Sequence, residues 1–109
     1  MIDAAEQIIR LTNGRTVAQL EGDRTVRDAV LWNFTVLGEA VNNLSSVVKG
    51  IDPTIEWGEP SRVRNRVVHG YWSADIEVLL ATAQDDIPAF LEGVRDVQRR
   101  LGEATEDPA

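Results

Sequence analysis

Residues 25–50, which read TVRDAVLWNFTVLGEAVNNLSSVVKG, decide the fold because they carry the longest helical pattern in the chain. Apolar side chains recur there at alternating spacings of four and three residues, the period of one buried helix face. These side chains are Val30, Phe34, Leu37, Val41, Leu44 and Val48. A second stripe, about 110° around the helix, consists of Ala29, Trp32, Val36, Ala40 and Val47. With Thr25 as N-cap and Gly50 as its end, the segment predicts one central helix of about 24 residues and 36 Å.

Shorter helical patterns flank this segment. One covers residues 2–11 and ends at Asn13-Gly14, and Thr16 caps a brief turn that follows. Further helices are predicted at residues 60–69, from Ser73 or Asp75 onward, and, after a new start at residues 85–88, up to Gly102. The predicted fold is an all-α, up-and-down bundle of four to five helices over residues 1–102, followed by a disordered acidic tail at 103–109.

Composition limits the class of protein. A chain of 109 residues supports one domain, and 43% hydrophobic with 27% charged residues is typical of a globular protein. The absence of cysteine excludes disulfides, thiolate metal sites and cysteine nucleophiles. No apolar run approaches the roughly 20 residues of a membrane span, and the acidic start does not resemble a secretory signal. We therefore expect a cytoplasmic protein that does not associate with membranes.

The charge is acidic in sum and basic in one place. The chain has 18 Asp and Glu against 11 Lys and Arg, a net charge of −7, which should repel nucleic acid on average. Residues 61–72, SRVRNRVVHGYW, contain three arginines and the single histidine of the chain, but no acid. A basic patch on an acidic body predicts a local anionic ligand.

Arginine and histidine together suit the cleavage of a phosphodiester. Arginine stabilises the negative charge that develops on phosphorus, while histidine exchanges a proton near neutral pH. On one helix Arg64 lies about 140° from His69, so a shared ligand requires either a turn of the chain at Gly70 or a second protomer. The same residues also fit a purely structural interpretation, in which His69 stabilises a helix end and the arginines form a solvated face.

The stretch from Arg64 to Tyr71, RNRVVHGY, resembles the Arg-x4-6-His motif of the HEPN ribonucleases, in the Arg-x4-His-x-Tyr form of the HepT-like toxins. Further similarity follows in the same order over about residues 3–91: residues 4–9 (AAEQII), 28–30 (DAV) with Asn33, 36–40 (VLGEA), Trp57, and Asp75 followed by 86–88 (DIP).

This resemblance implies a homodimeric, metal-independent RNase toxin without a cofactor. Its partner would be a nucleotidyltransferase antitoxin of the MntA type, which silences the toxin by transferring AMP onto the motif tyrosine. By position, the catalytic residues would be Arg64, His69 and Asn65, and Tyr71 would be the modified residue.

Other residues have supporting roles in this hypothesis. Arg62 and Arg66 would bind RNA, and Glu39 would orient an arginine of the cluster, although a solvated Glu39 is an equal alternative. Trp32, Trp57 and Trp72 are predicted to be packing residues rather than platforms for bases. An alternative function from another class is a catalytically silent helical module that binds a nucleotidyltransferase and presents substrate to it.

Overall fold

The computed structural model describes residues 1–70 and 73–106, and the side chains of residues 1–68 and 75–102. Every regular element in these ranges is helical, which confirms the all-α fold class. The helices are α1 (Ile2–Thr12), α2 (Val17–Gly22), α3 (Arg24–Asn42), α4 (Ser46–Ile51), α5 (Glu59–Gly70), α6 (Ser73–Ala81) and α7 (Ile87–Glu106), with a π-helical segment (Thr82–Asp86) between the last two. None of these described helices combines the length and the apolarity needed to cross a membrane.

The predicted central helix is divided in two, which corrects its expected length and raises the number of described α-helices above the four to five predicted. α3 ends at Asn42, and α4 begins after Ser45, whose hydroxyl accepts a hydrogen bond from the backbone N–H of Val48 at 3.2 Å. Asparagine and serine side chains compete with helical hydrogen bonds for the backbone, so residues 42–45 favour an end and a new cap over continuation.

The N-cap predicted for α2 is confirmed, whereas the one predicted for α3 is wrong. Thr16 caps α2 as predicted, in a reciprocal capping box with Gln19. α3 is capped by Asp23, whose Oδ1 accepts from the N–H of Val26 at 3.1 Å, and not by Thr25 as predicted. Aspartate and threonine are both good N-caps, so the sequence pattern alone did not separate them.

α3 is the central helix of the bundle, with α1 and α5 packed against it. Its inner stripe is almost fully buried, since Val30, Phe34, Leu37 and Val41 are at most 1% exposed. The second stripe behaves differently: Trp32 is 66% exposed on α3, and Val47 on α4 is 78% exposed. Among the described residues, the outer face of α3 is therefore exposed at a large apolar side chain, that of Trp32.

The C-terminal part of the bundle is more continuous than predicted. α7 begins at Ile87, within the predicted residues 85–88, but without a break, because the π-helical segment leads directly into it and Pro88 is its second residue. Pro88 has no N–H to donate to the carbonyl of Gln84, and the wider π turn accommodates that missing bond. α7 also continues past Gly102 to Glu106, so the predicted stop at this glycine is wrong. Residues 107–109 of the predicted tail lie outside the described residues.

Candidate active site

Helix α5 carries the cationic cluster because its apolar residues anchor one face. Val63 and Val67, four residues apart, are 7% and 0% exposed and belong to the core. Pro60 fits the first turn, where its missing N–H costs no helical bond. The polar side chains between the valines are thereby directed away from the core, toward the gap between α3 and α5 and toward solvent.

Arg64 is fixed across that gap by neutral groups. Its Nε donates to the hydroxyl oxygen of Thr35 on α3 at 3.2 Å, and its Nη1 donates to Oδ1 of the neighbouring Asn65 at 3.0 Å. A guanidinium has five N–H groups, and within the described part of the chain the other three make no hydrogen bond. Its charge has no ion-pair partner there either, which leaves it available for an anion.

The other two arginines of α5 are paired with carboxylates. Nε of Arg66 lies 2.9 Å from Oδ1 of Asp75, a buried residue near the start of α6. Nη2 of Arg62 lies 3.5 Å from Oε2 of Glu56, and both side chains are exposed. The roles in RNA binding that the sequence suggested for Arg62 and Arg66 remain predictions, but Arg64 is the arginine of this cluster that no described carboxylate neutralises.

A cavity of about 240 Å³ lies beside Arg64, between α3 and α5. It is lined by Phe34, Thr35, Gly38, Glu39, Asn42, Ser61, Arg64 and Asn65. The helices approach closely here because Gly38 has no side chain: a Cβ atom at this position would lie 2.5 Å from Oγ of Ser61. Arg64, Asn65 and Glu39 therefore line the same cavity.

The contact with Arg64 comes from Thr35 and not from Glu39. Glu39 is exposed at the rim of the cavity and makes no hydrogen bond to an arginine within the described residues. Sequence reasoning missed Thr35, because a threonine among apolar neighbours carries no signal of its own. The one available signal was its position on the same face of α3 as Glu39, one turn earlier.

Two predicted site residues are not placed by their side chains. His69 belongs to the last turn of α5, but its side chain lies outside the described residues, and so does Tyr71 as a whole. Trp72 also lies outside them. Among the other tryptophans, Trp57 is a packing residue as predicted: its ring meets Phe90 edge-on at 5.9 Å, and its Nε1 donates to the carbonyl of Lys49 at 3.1 Å. Trp32 is 66% exposed within the described part of the chain, so it is not the buried packing residue that was predicted.

A second cavity, of about 370 Å³, is acidic and lies at the opposite end of α5. It is lined by the carboxylates of Asp52, Glu56, Glu59, Asp85 and Asp86, together with apolar side chains. Burial, and then a hydrogen bond to Asp86, raise the pKa of Glu59 to about 7. Among the described residues, however, no three or more of the potential metal ligands lie close enough together to hold a metal ion.

The fold and the site define a class, the small all-helical proteins with an arginine in a cleft between two helices. The family model described as "Ribonuclease HepT-like" matches residues 1–97, and the chain belongs to this family. A relative from Thermococcus cleftensis named "Probable ribonuclease HepT" is 34% identical over 68 residues, which span 62% of each chain. "Putative RNase MJ0127" of Methanocaldococcus jannaschii is 24% identical over 97 residues, covering 89% of this chain and 80% of the relative. No solved structure matches the chain.

Proposed function

We propose that the chain is a metal-independent endoribonuclease, the toxin of a type VII toxin–antitoxin pair. The observation that carries the proposal is the state of Arg64, whose guanidinium is held by Thr35 and Asn65 without a described counter-charge, beside a cavity. Membership of the HepT-like family and the names of the relatives support RNA as the substrate.

The chemistry follows from the residue types. The 2′-hydroxyl of the RNA attacks the adjacent phosphorus, the 5′-oxygen leaves, and the product ends in a 2′,3′-cyclic phosphate. Arg64 stabilises the negative charge that builds up on the phosphoryl oxygens, and Asn65 keeps one edge of the guanidinium in place. His69 transfers the proton. Because the reaction needs a base and an acid, and each chain has one histidine, two protomers supply them to one cleft.

The outer face of α3 supports such a dimer. Trp32, Val36 and Ala40 lie on this face, and Trp32 is 66% exposed. Thr35, which holds Arg64, borders the same face, so a second copy packed there would lie next to the catalytic arginine. The proposed interface and the proposed cleft are thus continuous on the surface of one protomer.

A test of the activity compares RNA cleavage by the wild type, Arg64→Ala and His69→Gln. Loss of a general acid or base, as in His69→Gln, costs about 10²–10⁴-fold, and loss of a group that stabilises charge in the transition state, as in Arg64→Ala, costs about 10²–10³-fold. Both variants should therefore lose cleavage by at least about a hundredfold. The wild type should remain active in EDTA. Arg10→Ala is the matched control, because Arg10 is exposed on α1 and bonds only to Gln7 of its own helix among the described residues. Activity that requires Mg²⁺, products with 5′-phosphates, or an unaffected Arg64→Ala would contradict the proposal. A wild type that binds a nucleotidyltransferase but never cuts RNA would favour the silent module instead.

Control of the toxin would act on Tyr71. A nucleotidyltransferase antitoxin of the MntA type would attach AMP to its hydroxyl, and the added phosphate would occupy the cleft beside Arg64 that RNA needs. Tyr71→Phe should therefore cut RNA like the wild type and escape neutralisation. Intact-mass spectrometry after co-expression should show added AMP on the wild type only; a modified and neutralised Tyr71→Phe would place the switch at another residue.

A further inference from the structure

The hydroxyl group of Thr35 on α3 fixes the position of Arg64 on α5. Thr35 is partly buried, and its Oγ1 donates a hydrogen bond to the carbonyl of Leu31, four residues earlier in α3, at 3.0 Å. Its single hydrogen is therefore committed to its own helix. The oxygen can act toward α5 only as an acceptor, and Nε of Arg64 donates to it at 3.2 Å.

The position of this acceptor is well fixed. Threonine is branched at Cβ, so few rotamers are open to it in a helix, and the bond to Leu31 selects among them. The neighbouring residue Phe34 is 0% exposed, so the core holds this part of α3 in place. Arg64 instead has a long and flexible side chain that is ordered only by its contacts.

The neutrality of Thr35 also matters. A carboxylate at this position would hold the arginine more strongly, as Asp75 holds Arg66 at 2.9 Å, but it would cancel the positive charge. A hydroxyl holds the guanidinium through Nε without neutralising its charge, and Arg64 lines the cavity beside this contact. Asn65, also neutral, takes one N–H of Nη1.

We propose that Thr35 is a positioning residue, which orients the guanidinium of Arg64 toward the scissile phosphate of RNA through its hydroxyl oxygen. This inference rests on the proposed ribonuclease function. It differs from the expectation that Glu39 orients the arginine, and it predicts that the hydroxyl, rather than the size of the side chain, is what the site requires.

The test compares Thr35→Val, which keeps the shape and removes the hydroxyl, with Thr35→Ser, which keeps the hydroxyl. Misplacement of a catalytic group by about 1 Å can cost on the order of 10²-fold in rate, so we expect Thr35→Val to lower kcat of RNA cleavage by roughly 10- to 100-fold with a smaller change in KM. Thr35→Ser should stay within about twofold of the wild type, because it preserves the acceptor.

A matched control tests whether loss of a threonine hydroxyl that bonds within a helix lowers kcat by itself. Thr12 on α1 makes the same kind of bond to the carbonyl four residues earlier, from Oγ1 to Ile8 at 2.7 Å, and has no described contact with an arginine side chain. Thr12→Val should therefore leave kcat unchanged. Thermal unfolding of each variant reports whether the fold is retained, and Thr35→Ala provides a smaller replacement if Thr35→Val does not fold.

A readout without RNA keeps this inference separate from the proposed function. The Nε–H of Arg64, assigned by comparison with Arg64→Lys, should exchange with solvent more slowly in the wild type and Thr35→Ser than in Thr35→Val, as measured by NMR. A wild type that cuts no RNA but shows this protection would contradict the ribonuclease function while keeping the contact. An active wild type whose kcat and exchange rate are unchanged in Thr35→Val, or an equal loss in Thr35→Val and Thr35→Ser, would overturn the role of Thr35.

Discussion

At the scale of a single residue, Glu59 links the pH of the medium to the stability of the fold. Burial and the hydrogen bond to Asp86 raise the pKa of Glu59 from 4.5 to about 7. Between pH 4.5 and about 7, the folded chain thus holds a proton on Glu59 that the unfolded chain has released. The free energy of unfolding therefore falls as the pH rises through this range. We expect Glu59→Gln, which stays neutral, to remove this part of the pH dependence and to raise the free energy of unfolding at pH 8 by about 1–2 kcal/mol, since one pKa unit is worth about 1.4 kcal/mol and solvent reduces it.

Urea unfolding at pH 5 and pH 8 measures the effect. Glu77→Gln is the control, because Glu77 is exposed on α6 and is not among the groups that shift the pKa of Glu59. It should leave the difference in stability between the two pH values as in the wild type. A wild-type difference that persists in Glu59→Gln would mean that the carboxyl group of Glu59 is not the one that titrates in this range.

At the scale of the helices, the contact between α3 and α5 depends on Gly38. Alanine favours a helix over glycine by about 1 kcal/mol, but its Cβ would lie 2.5 Å from Oγ of Ser61. Gly38→Ala should therefore destabilise the wild type, or at best leave its stability unchanged, yet stabilise a Ser61→Ala background by up to about 1 kcal/mol. Chemical unfolding of the wild type, the two single variants and the double variant gives the coupling free energy between Gly38 and Ser61. If the effects of the two substitutions add to within about 0.5 kcal/mol, the two residues are not in close contact.

The helices also show which part of the fold the sequence could predict. The stripe of Val30, Phe34, Leu37 and Val41 followed from spacing alone, because a helix repeats its buried face regardless of its neighbours. The division after Asn42 did not follow, because it depends on competition between the cap at Ser45 and continued helical bonds, which differ by little free energy. Periodicity identifies a buried face reliably, whereas helix ends depend on single side chains.

At the scale of the whole molecule, the candidate site could be proposed from residue types, but its geometry could not be predicted. Arg64 and Asn65 stand out in the sequence because they are polar residues in a basic segment without acids. Their partner Thr35 is 29 residues away from Arg64 along the chain, so their contact exists only once α3 and α5 have packed. The exposure of Trp32 likewise depends on how the helices pack, because the described residues leave this side chain 66% exposed.

That outer face leads to the prediction about assembly. A second copy packed on Trp32, Val36 and Ala40 would bury this apolar surface and bring two Arg64 side chains to one cleft. Sedimentation at micromolar concentration should give the wild type a mass of about 24 kDa, twice the 12.1 kDa of one chain. Val36→Glu should be monomeric and inactive on RNA, because a charge without a partner is costly to bury in an interface.

Two further variants distinguish loss of the interface from damage to the core and from the effect of the added charge. Val36 is partly buried against the core of its own chain, so Trp32→Glu, at a position that is 66% exposed, tests the interface without disturbing the fold. Leu101→Glu adds the same charge on α7, where the residue is 40% exposed, and should remain dimeric and active. A wild type that sediments as a monomer and still cuts RNA would show that one chain completes the site, so that the base and the acid must both come from a single protomer. Dimeric Val36→Glu and Trp32→Glu would instead place the interface away from α3, and the two arginines would then no longer be expected to share a cleft.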